Sequence, residues 1–313
     1  MILIKDHCRR KKTSSKKKQY YTLVSEFMLQ QTQVVTVIPY FNRFIENIPD
    51  LETLASFENR KLIKLWEGLG YYSRVRNLKK AARVIIKDFN KKLPDNFLDL
   101  KSLPGIGDYT ASAISAIAFN KPFIPLDGNV ERVLKRYLYL KKENQIQKDN
   151  LIKSKKVLGT SSRSSDYAQA LMELGALICR PNNPLCEKCP ISKNCKSFAK
   201  QDFILNKIKK INRDKYFLLK VYKKNDKYLL VKNKNFNFLK NFNIFPMQEL
   251  IRPKNFNQNL NFKMSNMNMN IEIKNDKITK PIPFSYWINP KKLKKYTLPT
   301  FTKKIVKYLE KQK

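Results

Sequence analysis

This chain of 313 residues holds one histidine, 25 acidic residues, five cysteines and seven glycines, none of them after Gly175. Each shortage narrows the reading. The single histidine, His7, stands in a basic run at the amino terminus, so neither histidine-based catalysis nor a histidine metal site is expected. No apolar run approaches the roughly 18 to 20 residues a membrane span needs. Nor does one follow the amino-terminal basic cluster, so the start does not read as a secretory signal and a cytoplasmic location is expected. Five cysteines without an export signal point away from disulfides and towards metal or cluster ligation.

The scarcity of acids is matched by an excess of bases. Lys plus Arg number 64, which leaves a formal charge of +39. Such a surface attracts polyanions, and nucleic acid is the expected partner, with an affinity that falls as salt rises. Part of the excess reflects a composition rich in Lys, Asn and Ile, the residues an AT-rich genome favours. Residues 1–19 read as a disordered basic arm; the run 9–18 is seven-tenths basic with almost nothing to bury. From Tyr20 onward the apolar residues recur at helical spacing: Leu23, Val24, Phe27 and Met28, then Val75, Leu78, Ala82 and Ile85, then Val130, Val133, Leu134 and Tyr137. The expected organisation is a helical domain over 20–197, a basic linker over 198–214, and a smaller α+β domain over 215–313. In that second domain Tyr216–Val221 and Tyr228–Val231 predict a hairpin. Met267, Met269, Ile271 and Ile273 alternate as in a half-buried strand. A closing helix is expected with Thr297 as cap, Pro299 in its first turn and Ile305, Val306 and Leu309 as its apolar face.

Four cysteines, Cys179, Cys186, Cys189 and Cys195, follow the spacing C-x6-C-x2-C-x5-C. Structural zinc usually takes two separated C-x2-C pairs, whereas a cubane iron–sulfur cluster takes four thiolates, and the unequal spacing favours the cluster. Cys8 stands alone in the arm. Leu103-Pro104-Gly105-Ile106-Gly107 lies between a short helix (97–100) and a small-residue helix (108–119). Its glycines allow unusual backbone and leave amides exposed, which suits either a phosphate contact or a plain tight turn. Asp127 precedes the helix carrying Arg132 and Arg136 and reads equally as its N-cap. Glu26 sits among Val24, Phe27 and Met28; desolvation there would raise its pKa and make it a general acid, unless it faces solvent.

Taken together, Ser25-Glu26-Phe27-Met28-Leu29-Gln30-Gln31-Thr32, Gly68-Leu69-Gly70-Tyr71-Tyr72-Ser73-Arg74, the Leu-Pro-Gly-Ile-Gly string, Leu126-Asp127-Gly128-Asn129 and the four cysteines resemble the MutY-type adenine DNA glycosylases over about residues 20–200. The resemblance implies an all-helical helix-hairpin-helix glycosylase domain with a [4Fe-4S] loop, followed by a Nudix-like α+β domain. It implies hydrolysis of the N-glycosidic bond of adenine opposite 8-oxoguanine or guanine in double-stranded DNA, by a monomer. Glu26 would protonate the adenine and Asp127 would stabilise the oxocarbenium-like sugar, the adenine having left the stack. Tyr109, Asn129 and Glu173 match the adenine pocket. Gln31 and Tyr71, with Gln30 as neighbour, match residues that wedge into the duplex, and Leu103, Gly105 and Gly107 match the DNA-binding hairpin.

The chain departs from the pattern in places. Endonuclease III-type relatives place a nucleophilic Lys where Tyr109 stands, so strand cleavage through a Schiff base is not expected. The damaged-base loop of the family, Phe-Ser-His, aligns with Met264-Ser265-Asn266, so only Ser265 remains for lesion recognition. The glycines and glutamates of Nudix hydrolysis are absent, and the Arg/Trp helix usual before the Glu motif has no counterpart in 1–19. Two alternatives stay open here: a catalytically weakened DNA-binding remnant, and an endonuclease III-like glycosylase/lyase.

Overall fold

The computed structural model describes residues 14–140, 162–204, 213–251, 255–264 and 267–312. The chain divides into two compact units, Met1–Lys207 and Ile208–Lys313.

The described part of the first unit is helical: α1 (Ser15–Leu29), α2 (Val34–Asn47), α3 (Leu51–Ser56), α4 (Asn59–Leu65), α5 (Ser73–Asp88), α6 (Phe97–Ser102), α7 (Asp108–Phe119), α8 (Gly128–Leu138), α9 (Ser164–Glu173) and α10 (Lys196–Ala199). The predicted apolar stripes form its core; Leu23, Val24, Phe27, Met28, Val75, Leu78, Ala82 and Ile85 are fully buried. Helix α1 starts five residues earlier than the apolar period predicts. The Ser14 side chain accepts from Lys17 N–H, which caps a helix that lysines tolerate well, so the end of the basic run is helical. Residues 1–13, with His7 and Cys8, lie outside the described residues. Helix α7 buries every residue from Thr110 to Ile117, because its small side chains let α1 and α9 pack closely on it. The expected linker is also shorter at its start. Residues 200–204 follow α10 and are tied back to α8, with Tyr139 Oη donating to Asp202 at 2.8 Å and Arg136 donating to the Phe203 carbonyl.

The second unit is α+β. One sheet has the order β5-β1-β7-β6, from β1 (Arg213–Val221), β5 (Met247–Leu250), β6 (Leu260–Met264) and β7 (Met267–Asn275). In the other, β3 (Lys227–Lys232) lies between β2 (Lys223–Lys224) and β4 (Asn243–Ile244), and β8 (Ser285–Ile288) also pairs with it. The predicted hairpin is corrected here. Asn225 and Asp226 make the expected tight turn, both with positive φ, but they join β2 to β3. The longer strand β1 instead pairs antiparallel with β5 and parallel with β7. The predicted 267–273 strand is present as β7. Its Met269 and Ile271 join Phe217, Leu219, Leu230, Phe245 and Ile288 in one core closed by Phe301, Ile305 and Val306 of α11 (Thr300–Lys311). Helix α11 begins three residues after the expected Thr297 cap, with Pro299 in the cap position rather than the first turn. Pro299 has extended backbone (ψ 152°), and its C=O takes the Lys303 N–H as the opening helical bond. Ser265 lies outside the described residues.

Candidate active site

Glu26 is 1% exposed, within the stretch Tyr20–Met28 of α1 that is buried throughout. Neither of its carboxylate oxygens has a hydrogen-bond partner among the described residues. A buried, unpaired carboxylate costs several kcal/mol unless it is protonated. Burial, helped by the negative charge of Asp127, pushes its pKa up to about 7; the Tyr109 hydroxyl works the other way without meeting hydrogen-bond geometry. Tyr109 lies in the first turn of α7 and packs against two apolar clusters, one of Ala113 and Ile117 and one that includes Val130, Leu134 and Met172. Burial first, then the charges of Glu26 and Asp127, holds its phenol neutral. The three groups Glu26, Tyr109 and Asp127 therefore share one field.

Asp127 is the N-cap of α8. Its carboxylate accepts from the amides of Asn129 (2.9 Å) and Val130 (2.7 Å) and from the Asn129 side-chain amide (3.1 Å). The N-cap reading of Asp127 holds, and the cap fixes the position of its carboxylate. Asn129 in turn accepts from Arg132 Nη2 at 2.9 Å, and the same guanidinium donates to the carbonyls of Gly175 and Cys179. Gly175 lies in a π-helical turn, Leu174–Ile178, that leads from α9 into the first cysteine. Sequence reasoning named Arg132 only as a helix residue; its place in this chain of contacts was not foreseen. The expected pocket residue Glu173 ends α9 half-buried and makes no hydrogen bond or ion pair among the described residues.

The four cysteines are all free and half-buried, and all line one small pocket that Arg136 and Phe203 help to close. Burial first, and then the neighbouring thiols, raise Cys186 and Cys189. Arg136, 3% exposed, donates to the carbonyls of Arg180 (2.6 Å) and Pro181 (2.8 Å) and to Cys179 Sγ (3.5 Å). Among the described residues no group of His, Cys, Asp or Glu closes tightly enough to hold one metal ion.

The glycine string joins α6 to α7. Gly105 has φ +83°, and a Cβ there would meet Asn77 Cβ at 2.8 Å and Phe27 Cε1 at 2.9 Å. The expectation of special backbone holds for Gly105 alone: Gly107 has φ −96° and open space around it, and it starts α7 with no side-chain cap. Leu103 is buried at 2% exposure. Gln30 reaches back to this string, its amide donating to the Gly105 carbonyl at 3.3 Å and Thr110 Oγ1 at 3.4 Å. Gln31 and Tyr71 stand in left-handed backbone, at φ 56° and 45°, which non-glycine residues adopt rarely and under strain.

Residues 24–156 match the HhH-GPD superfamily of base excision DNA repair proteins. An adenine DNA glycosylase from Buchnera aphidicola subsp. Schizaphis graminum is 37% identical over 234 residues, spanning 72% of this chain and 67% of that protein. This chain belongs to the adenine DNA glycosylase family. A relative of the same name from Buchnera aphidicola subsp. Baizongia pistaciae is 40% identical over 215 residues, which are 69% of this chain and 57% of the relative. The human adenine DNA glycosylase is 41% identical over 181 residues, 57% of this chain and 33% of the human protein. The chain thus spans between a third and two thirds of the length of these glycosylases. Among solved structures, a thermostable thymine-DNA glycosylase superposes with a TM-score of 0.53 at 29% identity, covering 58% of this chain and 85% of that one. A non-covalent endonuclease III–DNA complex superposes at 0.51 with 20% identity, covering 64% and 95%, and shares the fold.

Proposed function

We propose that this chain removes adenine from double-stranded DNA, where the adenine stands opposite 8-oxoguanine or guanine, by hydrolysing its N-glycosidic bond without cutting the strand. The observation that carries this reading is Glu26: a buried carboxyl with no hydrogen-bond partner among the described residues, titrating near 7, in the field of Asp127. A protonated Glu26 has its proton free for an incoming acceptor, and adenine N7 is such an acceptor once the base has left the stack. Proton transfer makes the base a neutral leaving group. Asp127, fixed by two amides and Asn129, then faces the positive charge growing on the sugar. Asn129, Tyr109 and Glu173 contribute to the adenine pocket in this reading. Gln31 and Tyr71 fill the gap left by the base. The amides that follow Gly107 at the start of α7 take a phosphate, whereas the Ile106 amide is already bonded to the Leu103 carbonyl. Tyr109 offers no amine, which favours hydrolysis over lyase chemistry.

The four thiols fit a [4Fe-4S] cluster in number and placement: they line one pocket, and the buried Arg136 donates to one of them. When bound, the cluster supplies four iron–sulfur bonds that tie the loop 179–195 together. The second unit serves as a Nudix-like reader of the damaged base through Ser265. Single-turnover release of adenine from 8-oxoguanine:adenine and guanine:adenine duplexes, for the wild type and Glu26→Gln, tests the reading. Adenine release that needs alkali for strand breakage, and that Glu26→Gln abolishes, supports it. Duplex binding without release would overturn it.

A further inference from the structure

Arg74 is the second residue of α5, 6% exposed, and its five polar contacts are all to backbone carbonyls. Nη1 donates to Phe27 (3.2 Å), Met28 (2.6 Å) and Gln30 (2.7 Å), the open carbonyl end of α1. Nη2 donates to Leu69 (3.1 Å) and Gly70 (3.2 Å), the turn just before Tyr71. The guanidinium lies 5.5 Å from the ring centroids of both Trp66 and Tyr71. Among the described residues no carboxylate acts on it, and burial lowers its pKa to about 10. A cation buried without a counter-ion is costly. Here the partial negative charge at the end of α1 takes the place of the missing anion.

The two segments it joins are the ones that end in left-handed residues. Gln31 follows the α1 carbonyls at φ 56°, and Tyr71 follows the Leu69-Gly70 carbonyls at φ 45°. Glu26 sits one turn before Gln30 on the same helix. A single planar fork therefore sets three things in one frame: the acid, the residue after its helix, and the strained aromatic turn. Lysine could not replace it, since one ammonium cannot serve two diverging carbonyl sets.

We propose that Arg74 is a positioning residue that holds Gln31 and Tyr71, the residues that open the duplex, in the frame of the core-packed helix that carries Glu26, so that the base is extruded directly onto its acid. This rests on the glycosylase reading above. Base extrusion is the step that depends on Arg74; the chemistry on an already extruded base does not. Duplexes with the target adenine paired opposite guanine, and with the same adenine opposite an abasic gap where it is already unpaired, separate the two steps.

The experiment compares wild type, Arg74→Lys and Arg74→Gln (a planar donor without charge), assayed below each protein's melting midpoint by circular dichroism. Failure of wild type to release adenine from either duplex would count against the glycosylase reading itself. With wild type active, the expected result is a loss of about 10²-fold on paired adenine, the scale on which a misplacement of about 1 Å acts. On the unpaired adenine both variants should stay within about 5-fold of wild type, with an unchanged pH–rate midpoint, since a base already out of the stack reaches Glu26 without the fork and coupling through an intervening residue is weak. The fluorescence rise of 2-aminopurine at the target position should vanish for both variants. Equal losses on the two duplexes, or no loss on either, would overturn the proposal.

Discussion

Gly175 lies directly on Asn129: a Cβ added to Gly175 would stand 2.7 Å from Asn129 Cβ and 2.8 Å from its carbonyl oxygen. The π turn can carry the Cys179 loop past α8 only because nothing projects from this position. Asn129 holds Asp127, so whatever moves Asn129 moves the carboxylate. Gly175→Ala should fold and bind DNA yet lose about 10 to 100-fold in single-turnover rate, in line with the cost of a displaced catalytic group. An unchanged rate constant would show that Asp127 is held by its two backbone amides alone.

Glu26 should leave a pH signature on stability. The folded carboxyl titrates at about 7 and the ordinary one at 4.5. Below pH 4.5 it is protonated folded or unfolded and makes no difference. As pH rises through 4.5 to 7 the unfolded chain releases its proton while the folded chain keeps it, so stability falls and the loss is complete above about 7. At about 1.4 kcal/mol per pKa unit the penalty reaches roughly 3 kcal/mol. Glu26→Gln should therefore melt above wild type at pH 8 and with it at pH 4. Melting curves that coincide at both values would contradict a raised pKa.

The two glycines of the α6–α7 turn should part company. Gly105→Ala must adopt φ +83° with its methyl 2.8 Å from Asn77 Cβ, so a loss of about 2 kcal/mol or more in thermal melting is expected. Gly107 has ordinary backbone and no neighbour to strike. Gly107→Ala should leave the melt unchanged and weaken duplex binding several-fold, by placing a methyl where a phosphate approaches. A melt that drops as far as that of Gly105→Ala would show instead that position 107 is structural.

Arg136 is the buried counterpart of the cysteine loop. Arg136→Met leaves the Arg180, Pro181 and Phe203 carbonyls without a donor. These carbonyls are only part-buried, so water can replace some of the lost bonds and a total cost of about 1 to 3 kcal/mol is expected. Reconstituted Arg136→Met should carry less iron and sulfide per chain and melt well below wild type; full iron loading at the wild-type melting point would argue that the cluster loop closes without it.

Much of the helical unit was legible because its signals are local. The stripe Leu23, Val24, Phe27 and Met28 is both the period that predicts α1 and the surface that buries Glu26. Asp127 was legible as a cap for the same reason. What escaped the sequence depends on who meets whom across the fold. Arg74 and Arg136 look like surface bases, and only the carbonyls gathered around them show that they are buried. One signal was available: both stand beside or within apolar stripes, next to Val75 and three residues after Val133. The hairpin was misread because a tight turn at Asn225-Asp226 fixes only the residues beside it. Which strand β1 prefers over longer range is decided by the shared core of Phe217, Leu219, Met269 and Ile271.

The parallel pairing of β1 with β7 also governs how the second unit comes into being. Asp214 and Asn268, bonded side by side, lie 54 positions apart. At a synthesis rate of roughly 5 to 20 residues per second, β1 leaves the ribosome some 3 to 10 seconds before its partner exists. Through that interval the edge of β1 that awaits β7 stays open, even once β5 has formed on its other side, and the charges of Lys215 and Lys220 along the strand guard it. The strand order thus sets a window of vulnerability for the nascent chain, and its length is fixed by the spacing of β1 and β7.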